Sequence, residues 1–175
     1  MAPSESRSIV VTGAAGLVGQ NLIPRLKARG LGPIVAIDKH SANTAILRKL
    51  HPDIEVVQAD LAQPGDWQEQ FAGARLLVMG HAQIGALDET PFIANNVTAT
   101  RNVLDAAKRH GIEYIVHMSS SVVNSLARDF YTESKKAQEA IVVESGIPCV
   151  VLRPTLMFGW FDRKHLGWLA RFMQK

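Results

Sequence analysis

Cysteine is nearly missing. The chain carries one in 175 residues, so no internal disulfide can form, and a reducing cytoplasmic setting is expected. That residue, Cys149, lies in the apolar run Cys149-Val150-Val151-Leu152 and is read as buried. The opening MAPSESRS is polar and lacks the apolar segment of a signal peptide. No apolar run approaches the length needed to cross a bilayer, so no membrane partner is expected. An excess of one charge is lacking too. The formal net charge is +3, with Lys and Arg dispersed along the chain, which argues against a nucleic-acid partner. Repeats, low-complexity tracts, a clear linker and a metal site are not found. What is there is 47% apolar and 20% charged residues, the balance of a globular domain able to bury a core.

Strand-like and helix-like runs alternate from the start. Ser8 to Thr12 is a β-branched run ending at Gly13. Apolar residues then recur at helical spacing from Leu17 to Arg29, where Gly30 ends the helix and Pro24 should bend or locally disrupt it. Further strands are read at 34–37, 54–57, 76–79, 114–118 and 149–152. Helices are read at 42–50, near Trp67, at 91–110 and at 131–144. Apolar strands separated by helices predict a doubly wound parallel α/β sheet with helices on both faces, the Rossmann arrangement. The tail from Trp160 mixes aromatic and basic residues in one more helical pattern. There Leu166, Leu169 and Phe172 should pack inward, while Arg163, Lys164, His165 and Arg171 form a solvated face or meet a substrate diphosphate.

At the junction of the first strand and helix stands TGAAGLVG, Thr12 to Gly19. Gly13, Gly16 and Gly19 follow G-x-x-G-x-x-G spacing. One glycine turns the chain, one admits a pyrophosphate to the backbone, and one lets helix approach strand. Exposed N–H groups and the helix dipole favour the anion. The plainer alternative is a glycine-rich turn. Asp38 ends the second strand, nineteen residues after Gly19, where a carboxylate accepts from an adenosine ribose and repels a 2′-phosphate. NAD is therefore expected over NADP, although the adjacent Lys39 suits the extra phosphate.

Ser119, Ser120 and Ser121 follow the fifth strand, on the sheet edge where doubly wound folds bind ligands. Tyr131 and Lys135 are i and i+4 at the start of the next helix and share a face. Free tyrosine is a poor base at neutral pH, with a pKa near ~10. An adjacent ammonium and a positive nicotinamide ring favour the phenolate. A serine hydroxyl then holds the substrate oxygen. The alternative is an amphipathic residue and a solvated lysine at a helix start.

These motifs together resemble the N-terminal part of the extended short-chain dehydrogenase/reductase family, in its NAD-dependent nucleotide-sugar epimerase/dehydratase branch. The likeness rests on T-G-x-x-G-x-x-G, Asp38, Asp60-Leu61, NNVTATRNVLDAA (Asn95 to Ala107), MSSS before Y-x-x-x-K, and LRPTLMFG (Leu152 to Gly159). It implies Ser120 as catalytic serine, with Ser121 as the near alternative. Tyr131 would be the acid/base and Lys135 its partner. It further implies NAD contacts from Gly13, Ala15, Gly16, Leu17, Val18, Gly19, Asp38, Lys39, Asp60, Leu61, Gly80, His81, Ala82, Asn96, Tyr131, Lys135 and Pro154.

Three departures stand out. Ala99 replaces a family glycine. Met79-Gly80-His81-Ala82 stands where H-L-A-A is usual, leaving His81 either ligand-facing or structural. Tyr131 follows Ser120 by only eleven positions, a shorter interval than in sugar-nucleotide members.

The resemblance implies an NAD-binding domain over 1–159 and, over 160–175, the opening of a substrate-binding region cut short. It implies a homodimer acting on a small molecule, most simply epimerisation of a nucleotide sugar through a transient ketone. Dehydration is disfavoured because Ser121 and Val122 occupy the positions of the acidic pair. The alternatives are an NAD-dependent oxidoreductase on a smaller alcohol or ketone, and a non-catalytic NAD-binding or scaffold protein.

Overall fold

Six parallel strands form where apolar runs predicted them. The computed structural model describes residues 8–159, 161–162 and 166–174. β1 (Ser8–Thr12), β2 (Ile34–Asp38), β3 (Glu55–Gln58), β4 (Ala74–Met79), β5 (Tyr114–Met118) and β6 (Cys149–Leu152) make one sheet in the order β3-β2-β1-β4-β5-β6. The chain winds outward from β1 on one side and from β4 on the other. The crevice between their carboxyl ends is the topological switch point of a Rossmann fold. Register levels those ends: Thr12 lies opposite Ile37 and Met79, and Met79 opposite His117.

Alternation along the strands divides the core in two. Ile9 and Val11 of β1 pack with Ala36, with Ile23 of α1 (Leu17–Ala28) and with Leu47 of α2 (Ser41–Leu50). Val10 faces the other way, with Leu77, Ile115 and the edge-to-face pair Trp67 and Phe71 on a 3₁₀ turn, Asp66–Phe71. That second layer is closed by Val103 on α4 (Ala99–Arg109) and Val142 on α5 (Phe130–Val143). No helix among the described residues is long and apolar enough to cross a membrane.

Four details differ from the sequence reading. α1 runs unbroken through Pro24, which lies on its exposed face where water can serve the backbone carbonyl left without a donor. The single long helix expected at 91–110 has three parts: α3 (Thr90–Phe92), a π-helical segment (Ile93–Thr98) and α4. Cys149 is half-buried. Finally, α6 (Leu166–Met173) buries nothing among the described residues: Leu166, Leu169 and Phe172 are 39%, 42% and 63% exposed. Trp168 instead stacks on Phe172. The predicted roles of Arg163, Lys164 and His165 fall outside the described residues.

Candidate functional site

The loop after β1 explains why three of its positions are glycine. Gly13 has φ +65°, and a Cβ there would stand 2.6 Å from the backbone of Gly80 and His81. The glycine thus makes the turn and lets β1 meet the end of β4. At Gly19 a Cβ would stand 2.2 Å from the Ala14 carbonyl oxygen, so this residue sets the helix–strand distance. Gly16 is the N-cap of α1. It offers no side-chain cap, and no acidic residue sits in the first turn. The first-turn N–H groups at Leu17 and Val18 therefore border a cavity of about 610 Å³ with no side-chain cap or first-turn carboxylate among the described residues to meet their partial charge. An uncapped helix start beside glycine backbone fits a pyrophosphate, so the residues present suit a dinucleotide.

Asp38 is buried rather than solvated, at 7% exposure. Its Oδ2 accepts from Ala15 N at 3.0 Å and its Oδ1 from His40 N at 2.9 Å. The carboxylate thereby ties the end of β2 to the glycine loop and still borders the cavity. Lys39 donates to Asn95 Oδ1 in the π-helical segment, at 2.5 Å. The ammonium keeps two further donors and borders the cavity beside Asp38.

At the other end, Asp129 caps α5. Its carboxylate accepts from Thr132 N at 2.9 Å and from the Thr132 hydroxyl at 2.8 Å, and those bonds hold it below the usual carboxylate range. The cap fixes the turn that carries Tyr131, whose ring lies 6.5 Å from Phe92. One turn on, Lys135 is buried and donates to Met118 O at 3.1 Å and to Gln138 Oε1 at 2.5 Å. Burial pushes its pKa down to about 8, against the opposing pull of Glu139. Three serines follow β5, but Ser119 donates its hydroxyl to Glu139, which Arg153 also grips. Ser120 Oγ accepts from Val122 N at 3.4 Å and caps the short 3₁₀ turn Ser121–Asn124. Ser120, Ser121, Tyr131 and Lys135 all border the cavity.

His81 turns out to be a bracket. Its Nδ1 lies 2.8 Å from Thr12 Oγ1 and its Nε2 3.2 Å from Thr100 Oγ1. Burial, reinforced by the Lys135 and His117 charges, pushes its pKa down to about 3. It stays neutral while bordering the cavity.

Two predicted contact residues, Gly19 and Asn96, are buried behind the cavity wall, and a third, Pro154, is half-buried beside it. Gly19 underlies Ala14. Asn96 is fully buried, accepting from Gln83 N and donating to Gln83 O and Ser134 Oγ. Pro154 accepts from Ser121 N. Sequence reading also missed Gln138, Glu139 and His117, all bearing on Lys135 from inside the fold. Neither ring nitrogen of His117 has a partner among the described residues, and burial pushes its pKa down to about 3.

The chain matches the NAD dependent epimerase/dehydratase family over residues 9–175. It is 27% identical over 165 residues to a ceramide reductase of Caulobacter vibrioides, covering 94% of this chain and 51% of that protein. It is 36% identical over 122 residues to a UDP-glucose 4-epimerase of Mycolicibacterium smegmatis, covering 63% of this chain and 38% of that one. Its fold matches a UDP-glucuronic acid 4-epimerase of Bacillus cereus, solved with NAD, at a TM-score of 0.83 and 22% identity, covering 95% and 63% of the two chains. The chain thus spans about half the length of the curated relatives it matches.

Proposed function

The chain belongs to the NAD-dependent epimerase/dehydratase family, and we propose that it binds NAD and oxidises a secondary alcohol carbon of a nucleotide sugar as the first half of an epimerisation. The observation that carries this reading is one cavity bordered at one end by the uncapped start of α1 and Asp38, and at the other by Tyr131 and Lys135. Bound NAD supplies the hydride acceptor and donor. The first-turn N–H groups of α1 hold the pyrophosphate and Asp38 selects an unphosphorylated ribose. Tyr131 takes the proton from the substrate hydroxyl, Ser120 positions that oxygen with Ser121 beside it, and the Lys135 ammonium favours the phenolate. After the ketone turns over, Tyr131 returns the proton to the other epimer.

A second reading is net reduction of a ketone on an apolar body. It is favoured by the cavity-bordering side chains Val122, Leu156, Met157 and Phe161 and by the likeness to a ceramide reductase. Heat-denaturing the purified protein and identifying released nucleotide separates the two. Roughly one NAD per chain is expected for epimerisation, since the hydride is returned within one site. Empty protein that binds NADH reversibly would support net reduction, and NADP would sink the assignment of Asp38.

The charge on Lys135 gives a pH prediction. Its folded-state pKa is lowered, so the ammonium is present below about 8 and lost as pH rises through that value. The rate of hydride transfer is expected to fall over the same interval. A rate still climbing above pH 9 would show that Lys135 acts without its charge.

A further inference from the structure

The buried hydrogen bonds around Lys135 have a direction, and the direction has a single source. An ammonium only donates, so the group facing Lys135 Nζ must be the carbonyl oxygen of Gln138. That places the Gln138 Nε2 amide on the far side, 3.0 Å from Thr100 Oγ1 and 3.3 Å from the His81 carbonyl. An amide nitrogen also only donates. Thr100 therefore accepts there, and its own hydroxyl hydrogen is free to point to His81 Nε2 at 3.2 Å. A hydroxyl oxygen can take two donors, but the Thr100 hydrogen has no other acceptor among the described residues. Nε2 is therefore the bare nitrogen, and Nδ1 carries the proton and donates to Thr12 Oγ1 at 2.8 Å. Thr12 passes the same polarity on to Val78 O at 3.4 Å. Every member is buried or half-buried, and the opposite tautomer would make Thr100 accept twice and leave its buried hydroxyl hydrogen without an acceptor among the described residues.

We infer that Gln138 is a positioning residue: its carboxamide fixes the Lys135 ammonium on one side and, through Thr100, holds His81 as the neutral Nδ1–H tautomer on the other. Gln138 reaches neither cofactor nor substrate. It joins the helix that carries Tyr131 to the end of β4, opposite the glycine loop. The consequence rests on the reading of the site given above: one cation, Lys135, serves the reacting oxygen, while the imidazole in the adjoining wall adds no second charge against a positive nicotinamide ring. The tautomer itself follows from the hydrogen bonds and needs no cofactor.

The test is ¹⁵N–¹H correlation spectroscopy of the imidazoles in the full chain, with the His81 signal identified by its loss in His81→Asn. In the natural protein His81 is expected as Nδ1–H at neutral pH. In Gln138→Glu a carboxylate still accepts from Lys135, but its other oxygen accepts from the Thr100 hydroxyl, whose Oγ1 must then accept from His81. The tautomer is expected to switch to Nε2–H. Finding Nε2–H in the natural protein, or Nδ1–H unchanged in Gln138→Glu, overturns the proposal. Should Gln138→Glu fail to fold, Thr100→Val cuts the same chain one link on. It is expected to give a mixture of tautomers, and a pure Nδ1–H signal there counts equally against the proposal. NAD titration of the same samples keeps the two readings apart: absence of binding by the natural protein sinks the cofactor assignment and leaves the tautomer result standing.

Discussion

Replacing Tyr131 with phenylalanine is expected to cut hydride transfer by about 10²–10⁴-fold, the range for loss of a general acid or base, while NAD affinity stays within about twofold. The split follows from what the side chain touches. Its ring packs at 6.5 Å from Phe92, an arrangement phenylalanine reproduces, so neither the start of α5 nor the cavity wall should move. Asp129 continues to cap the helix through Thr132. Lys135 keeps Met118 O and Gln138 Oε1. Only the hydroxyl disappears, and with it the route for the substrate proton. The loss corresponds to about 3–5 kcal/mol of transition-state stabilisation. The measurement is the single-turnover rate of nicotinamide reduction at 340 nm with a nucleotide-sugar substrate, beside an NAD titration of both proteins. An unchanged rate would place the chemistry elsewhere. A collapse of NAD affinity with the rate would make Tyr131 a binding residue and return the non-catalytic reading to the front.

How far the sequence led depends on whether a signal is local. The glycine spacing, the apolar runs and the Tyr-x-x-x-Lys interval are each set by a few neighbouring residues, and they located the sheet, the loop and the two ends of the cavity. Gln138 carries no such signal. It sits on α5 between Lys136 and Glu139 and reads as solvated, yet it is fully buried because α5 lies over the polar ends of β4 and β5. His117 is hidden for the same reason, as one polar residue within an apolar strand. Asn96 matched a family motif, but sequence could not show which way it faces. Its bonds to both the amide and the carbonyl of Gln83 appear only once the loop after β4 folds across the π-helical segment. The inward packing expected of Leu166, Leu169 and Phe172 followed from helical spacing alone. Spacing identifies an apolar stripe without saying what lies against it.

Gly13→Ala and Gly30→Ala pose the same backbone problem in different surroundings, and the gap between them should be large. Gly13 has φ +65° and Gly30 φ +67°, a conformation that costs a residue bearing a Cβ roughly 1–2 kcal/mol. At Gly30 that strain is the whole effect. Gly30 N bonds to Lys27 O and Leu31 N to Leu26 O, closing α1 in a Schellman turn, and an added Cβ meets nothing within 4 Å. At Gly13 the same Cβ stands 2.6 Å from the Gly80 carbonyl and from His81 N. These are backbone atoms between paired strands and cannot swing aside as a side-chain tip would. Relief requires β1 and β4 to part at Thr12 and Gly80, joined by a 3.0 Å hydrogen bond. Overpacking adds about 1–3 kcal/mol or more to the strain. Urea denaturation should therefore show Gly30→Ala losing about 1–2 kcal/mol and Gly13→Ala at least about twice that. NAD affinity should be kept in the first variant and lost in the second, because parting β1 from β4 displaces the start of α1. Equal destabilisation would mean that the strand ends give way freely, and intact NAD binding by Gly13→Ala would remove this loop from the cofactor site.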